Sequence, residues 1–207
     1  LGIEKLQKYA SLFGLNERTG IEIEEAAPQI ANEFPVMAAI GQSNNNYTTV
    51  QLARYVTAVA NEGTVYQYTL LNRLEDSDGN VLQTFEPQVR NQIDVLDTEE
   101  WNAIHSGMRM VVENTKEFDG FPIEAAGKTG TAQQNLKRPN HALFVGYAPY
   151  DDPEISIATR IAYGYTSHNA AKLARNVFAY YFNVENEDEL LNGQAANGNS
   201  SSNEISD

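Results

Sequence analysis

At 207 residues, 42% of them hydrophobic, the chain is long enough to bury a sizeable core, and one folded domain is the default expectation. A formal net charge of −14 argues against nucleic acid or an anionic membrane surface as partner, because both want clusters of Lys and Arg. The absence of cysteine excludes structural disulfides and cysteine-bound metals, and no apolar run is long enough to span a bilayer.

Residues 3–13 read as a helix, with Ile3, Leu6, Ala10 and Phe13 near helical spacing and Gly14 as its C-terminal cap. Residues 14–47 read as mostly irregular. A short alternating strand is expected at Thr19–Ile23, and Pro28 and Pro35 break anything longer. The run Ser43-Asn44-Asn45-Asn46 reads as a polar loop ahead of a helix cap. The next helix spans about 48–62, capped by Thr48 or Thr49, with Leu52, Val56, Val59 and Ala60 as its apolar stripe and Gly63 ending it. Tyr47 and Tyr55 are expected as core or groove wall. Residues 64–86 read as a hairpin turning at Asp76–Asn80, and 88–95 as a further short strand.

A long helix is expected at about 98–114, opened by an Asp97/Glu100 capping box and packed through Trp101, Ile104, Met108, Val111 and Val112. His105 lies off that face. Residues 117–122 turn into three strands at about 124–134, 141–147 and 155–162, which the short turns make an antiparallel meander. A last helix at about 168–182 offers a wide apolar face of Ala171, Leu173, Ala174, Val177, Phe178 and Tyr181. His141 and His168 stand at element boundaries, with no carboxylate spacing that suggests a metal. The fold class is therefore α+β, an antiparallel sheet with helices on its faces. From 185 to 207 the composition turns acidic and then Asn/Ser-rich, a tail with too few apolar residues to fold alone.

The chemistry concentrates in Ala125-Ala126-Gly127-Lys128-Thr129-Gly130-Thr131-Ala132-Gln133. Gly127 and Gly130 are expected to let backbone approach a ligand, since neither carries a Cβ. Lys128 supplies a cation and Thr129 and Thr131 supply hydroxyl donors, a set suited to a carboxylate. A phosphate-binding loop G-x-x-x-x-G-K-[ST] does not fit, because its first glycine would fall on Pro122.

The string AGKTGTAQ at 126–133, followed by HALFVGYAP at 141–149, resembles the K-T-G strand of class B penicillin-binding proteins, members of the penicillin-recognising serine acyl-transferases. The segments GLNERTGIEIE at 14–24, Ile40-Gly41-Gln42, Gln51-Leu52-Ala53 and Gly107-Met108 with Val111-Val112 are similar to that family too. The resemblance covers about 1–184 and implies the C-terminal part of a transpeptidase (serine β-lactamase-like) domain. It implies that Lys128 and Thr131 take part in catalysis and that Lys128, Thr129, Gly130 and Thr131 bind substrate. The Thr131 N–H would be one oxyanion donor. No metal or cofactor is implied.

In that family a serine in S-x-x-K attacks an acyl–D-alanine carbonyl, and a second hydroxyl stands in S-x-N. None of the ten serines here has Lys three residues on. Ser43-x-Asn45 has the letters of S-x-N but precedes the QLA helix directly, so the loop reading is preferred. The chain starts at Leu1, not Met, so the expectation is a piece of a longer protein. Its parent would be anchored by an N-terminal segment on the extracytoplasmic face of a bacterial membrane, cross-linking peptidoglycan stem peptides and binding β-lactams. The isolated chain would be inactive without the other half of the domain, and its exposed surface could support dimerisation or contacts with cell-wall assembly proteins. The other readings are a serine β-lactamase, a β-lactam-sensing receptor domain, or a non-catalytic scaffold.

Overall fold

The structure, a computed structural model, describes residues 2–185 and Leu190. Contacts group it into two compact units, residues 1–105 and 106–207. The expected tail at 185–207 lies almost wholly outside the described residues.

The first unit opens with α1 (Ile3–Leu12). Gly14 ends it at φ 74, and two crossed bonds close it: Leu15 N–H to Ala10 O at 3.0 Å and Gly14 N–H to Ser11 O at 3.0 Å. This is the left-handed cap that glycine adopts at no steric cost. No strand forms at Thr19–Ile23, contrary to expectation. The Glu25 carboxylate accepts from the Thr19 N–H at 2.7 Å and the Thr19 hydroxyl at 3.0 Å, bending the segment back on itself. Pro35 does not break structure either. It sits at the first position of the short helix α2 (Pro35–Ala39), where its missing N–H is no loss. The 43–46 run is a polar clamp: Asn45 accepts from Ala31 N–H at 2.8 Å, and Gln29 and Asn46 form an isolated bridge.

Helix α3 (Thr49–Ala60) starts from a complete Thr48/Gln51 capping box. Its buried face is not the expected stripe. Val56, Ala58 and Val59 are buried, but so are Gln51 and Arg54, while Leu52 is half-exposed. Arg54 is 1% exposed, and its guanidinium donates to the carbonyls of Gly14, Arg18 and Glu17, with the Glu17 carboxylate 3.8 Å away. A polar nail thus fixes the 14–18 turn to α3.

The expected 64–86 hairpin is two nested pairs. Strand β1 (Thr64–Gln67) pairs with β4 (Gln88–Gln92), and only the tip, β2 (Arg73–Glu75) with β3 (Val81–Thr84), turns at Asp76–Asn80. Ala58, Val65, Ile93 and Trp101 form this unit's core, with Leu12, Phe13, Leu96 and Ile104 against it. Trp101 comes from α4 (Thr98–Glu113), whose Asp97/Glu100 box forms with both bonds at 2.9–3.0 Å. His105 is hydrogen-bonded to Val59 O at 2.8 Å.

In the second unit a 3-10 turn at Lys116–Phe118 leads to β5 (Ala126–Ala132), β6 (His141–Ala148) and β7 (Ile155–Ile161). They form an antiparallel sheet in the order β5-β6-β7, as the turns predict. Helix α5 (Ser167–Tyr181) packs on this sheet through Ala170, Ala171, Ala174 and Phe178. The wide apolar face expected for it is narrower: Leu173 and Tyr181 are more than 40% exposed. Small alanines let the helix lie close, and Phe178 is the one large side chain that the helix itself buries.

Candidate functional site

Among the described residues strand β5 pairs with β6 alone, and no strand lies along its other edge. Pleat and pairing decide what that edge offers. The Ala125 carbonyl accepts from the Arg109 guanidinium at 3.2 Å, away from β6, whereas the Phe144 carbonyl on β6 faces Thr159 of β7 at 3.4 Å. With the register Gly127↔Gly146, Thr129↔Phe144 and Thr131↔Ala142, antiparallel alternation directs the backbone groups of Gly127, Thr129 and Thr131 to the edge opposite β6. The even-numbered residues bond into the sheet.

Side chains alternate the other way. Thr129 and Thr131 share a sheet face with Phe144, while Lys128 and Gly130 lie on the opposite face with Val145 and Leu143. The exposed Lys128 ammonium nevertheless returns to the edge, donating to the Thr129 carbonyl at 2.9 Å. One cation and two half-buried hydroxyl residues therefore meet along one strand edge. Lys128, Thr129, Gly130 and Thr131 all lie within β5.

The glycines divide. A Cβ on Gly127 would stand 2.3 Å from Phe144 Cζ and 2.8 Å from Val145 O, so this glycine makes room for the core and not for a ligand, which corrects the expectation. At Gly130 the nearest atom to such a Cβ is Leu143 Cβ at 3.4 Å, and the approach is open.

Arg109 was not foreseen as part of this arrangement. Besides Ala125 O it reaches Glu113 at 3.4 Å and Glu124 at 3.3 Å, holding the entry to β5. Its i,i+4 spacing to Glu113 is the only trace in the sequence. A cleft of about 200 Å³ opens beside Arg109, Phe121 and Glu124 rather than along Lys128–Thr131.

The histidines are tied to neighbours. His168 Nδ1 meets Glu117 at 2.8 Å. His141 Nδ1 accepts from the Tyr163 N–H at 3.1 Å, so its proton is on Nε2 and is donated to Gln134 Oε1 at 2.9 Å. Burial, and then the Arg160 cation, lower its pKa below the ordinary histidine value. Burial pushes the Tyr47 phenol up to about 12 and raises that of Tyr55, as fits packed tyrosines. Among the described residues no group of three or more His, Asp or Glu is placed to hold a metal ion, and no helix is long and apolar enough to cross a membrane.

The family model for the penicillin-binding protein transpeptidase domain matches residues 1–179. The chain belongs to the penicillin-binding protein transpeptidase family. Among the relatives of this chain is the peptidoglycan D,D-transpeptidase MrdA of Haemophilus influenzae, 32% identical over 219 residues, covering 88% of this chain and 33% of that protein. Penicillin-binding protein 2B from Streptococcus pneumoniae superposes with a TM-score of 0.77 at 25% identity, over 88% of this chain and 33% of that one. An imipenem acyl-enzyme complex of penicillin-binding protein A from M. tuberculosis gives a TM-score of 0.76 at 22% identity, over 86% and 42%, and shares the fold. The chain thus spans about a third of the length of the curated relatives it matches.

Proposed function

We propose that this chain is the substrate-holding wall of a peptidoglycan D,D-transpeptidase that joins cell-wall stem peptides through a serine acyl-enzyme. The observation that carries this is the β5 edge, where Lys128 and the outward-directed backbone of Gly127, Thr129 and Thr131 lie in one line. An extended peptide can add to such an edge as a further strand. The Thr129 and Thr131 hydroxyls donate to its terminal carboxylate, and the Lys128 ammonium supplies the countercharge. The Thr131 N–H donates to the oxygen of the scissile carbonyl as it becomes an oxyanion, and the small Gly130 leaves the way open. Lys128 and Thr131 are in this sense catalytic.

The nucleophile comes from elsewhere in the parent, since no serine of these 207 residues stands in S-x-x-K. Its hydroxyl adds to the carbonyl, the terminal D-alanine leaves as an amine, and an acceptor amine then displaces the serine. β-Lactams enter by the same attack, their carboxylate taking the place of the peptide's. The parent would act on the extracytoplasmic face of the membrane, and residues 185–207 would be a tail outside the domain.

Labelling with a fluorescent penicillin tests this. The full-length parent is expected to be labelled and the isolated 207-residue chain is not. In the parent, Lys128→Ala and Thr131→Val are each expected to slow acylation about tenfold or more, the scale of a lost charge-assisted hydrogen bond. Covalent labelling of the isolated chain, or wild-type acylation rates in both variants, would overturn the proposal.

A further inference from the structure

The last rung of the β5–β6 ladder lies one residue beyond Thr131, and one buried histidine holds it. Thr131 turns its backbone groups to the edge opposite β6, so its N–H is placed by the pairs on either side of it, Gly130↔Leu143 and Ala132↔His141. In this register the next bonded pair would be Gln134 with Pro139. Proline has no N–H to give, and the pairing stops at Ala132↔His141. Strand ends fray, so an amide one residue from such an end needs another hold to keep its aim.

Side chains take over where the ladder stops. The His141 ring donates from Nε2 to Gln134 Oε1 at 2.9 Å, a bond to the residue whose backbone pairing Pro139 forbids. Its Nδ1 accepts from the Tyr163 N–H at 3.1 Å, just past the end of β7. The Tyr163 ring lies 5.0 Å from the imidazole, centre to centre, and its hydroxyl accepts from Arg138 at 2.7 Å, so the far side of the 133–140 turn is tied down too. The Asn140 carbonyl accepts from the Tyr165 N–H at 3.1 Å. His141 thus links the outgoing end of β5 to the segment after β7, across the start of β6. It stands on β6 and acts on the β5 edge through the backbone it holds, not by touching a peptide laid there.

We infer that His141 is a positioning residue, which together with Gln134 locks the end of β5 so that the Thr131 N–H is aimed at the developing oxyanion. This rests on the proposed transpeptidase reading. The effect belongs to the transition state. The Thr129 and Thr131 hydroxyls can turn about Cα–Cβ to follow a carboxylate. A backbone N–H has no such freedom, and its bond strengthens only as charge builds on the carbonyl oxygen. Loosening the strand end therefore slows acylation and leaves binding almost unchanged.

The test follows acylation of the full-length parent by a fluorescent penicillin over a range of concentrations, which separates the limiting rate from the apparent Kd. Gln134 is exposed, so Q134A breaks the bond without opening the core. Q134A is expected to lower the limiting rate about fivefold to tenfold with Kd within about twofold, the scale of an oxyanion donor displaced rather than removed. At position 141 two amides separate the ring's two bonds. Asparagine puts an acceptor where Nδ1 stands and loses Gln134. Glutamine puts a donor where Nε2 stands and keeps it. H141Q is expected to retain most of the rate and H141N to fall with Q134A, and adding Q134A to H141N is expected to cost nothing more. Wild-type limiting rates in Q134A, a loss in H141Q as large as in H141N, or a loss carried by Kd alone would overturn the inference. Should neither histidine variant fold, Q134A decides. The Lys128 and Thr131 variants read the underlying proposal separately: slowing there with wild-type behaviour in Q134A rejects this inference alone.

Discussion

Gly127 and Gly130 stand three residues apart on one strand and do different work. Gly127 is buried against Phe144, whose own place in the core depends on there being no side chain across from it. An alanine there meets a ring and a backbone oxygen at once, and neither can move without shifting β6. Gly127→Ala is therefore expected to cost about 1–3 kcal/mol in chemical denaturation, the range for overpacking. Gly130→Ala is expected to change stability by less than about 0.5 kcal/mol, because its Cβ meets Leu143 at ordinary contact distance. Equal losses at the two positions would contradict the division. The sequence shows that both glycines matter and not which one faces the core, since that depends on which face of the strand the helix packs against. Arg54 and Gln51 were hidden for a related reason. A periodicity argument assigns polar side chains to solvent, and only the fold brings the carbonyls of residues 14–18 within reach of Arg54.

Elements with local signals were legible, and those set by remote partners were not. The Asp97/Glu100 box, the Thr48 cap and the β5-β6-β7 meander follow from residues close in sequence, and each forms. The pairing of β1 with β4 across more than twenty residues has no such signal, because an intervening hairpin tip with its own turn captures the eye first. Thr48 shows how a local cap gains a remote task. Its hydroxyl accepts from Gln51 N–H at 3.2 Å and donates to Glu25 at 3.0 Å, while the other Glu25 oxygen holds Thr19. One residue thus starts α3 and anchors the loop before it. Thr48→Ala is expected to cost about 1–2 kcal/mol, at the upper part of the range for a lost N-cap. Thr48→Ser, which keeps the oxygen, should recover most of it. A serine variant as unstable as the alanine one would place the loss in the methyl group and not in the hydrogen bonds.

Across the whole molecule the apolar interior is divided. Ile93 and Trp101 belong to one buried cluster, and Phe118, Phe144 and Phe178 to another, with no buried residue in common among the described residues. Phe118 and Phe144 stack with ring centres 5.7 Å apart, so each is part of the other's environment. Removing one ring leaves the other with a surface it no longer fills, and the second substitution then costs less than it would alone. A double-mutant cycle on Phe118→Leu and Phe144→Leu is expected to show a coupling of about 0.5–1.5 kcal/mol, the scale of an aromatic pair. Ile93→Val with Phe144→Leu is expected to be additive within about 0.5 kcal/mol, because the two side chains share no packing partner among the buried residues. Denaturant titrations of the three single and two double variants measure both quantities on one scale. Coupling as large between Ile93 and Phe144 as between the stacked phenylalanines would mean that the two clusters respond as one core, and the division of the chain at His105 would lose its energetic meaning.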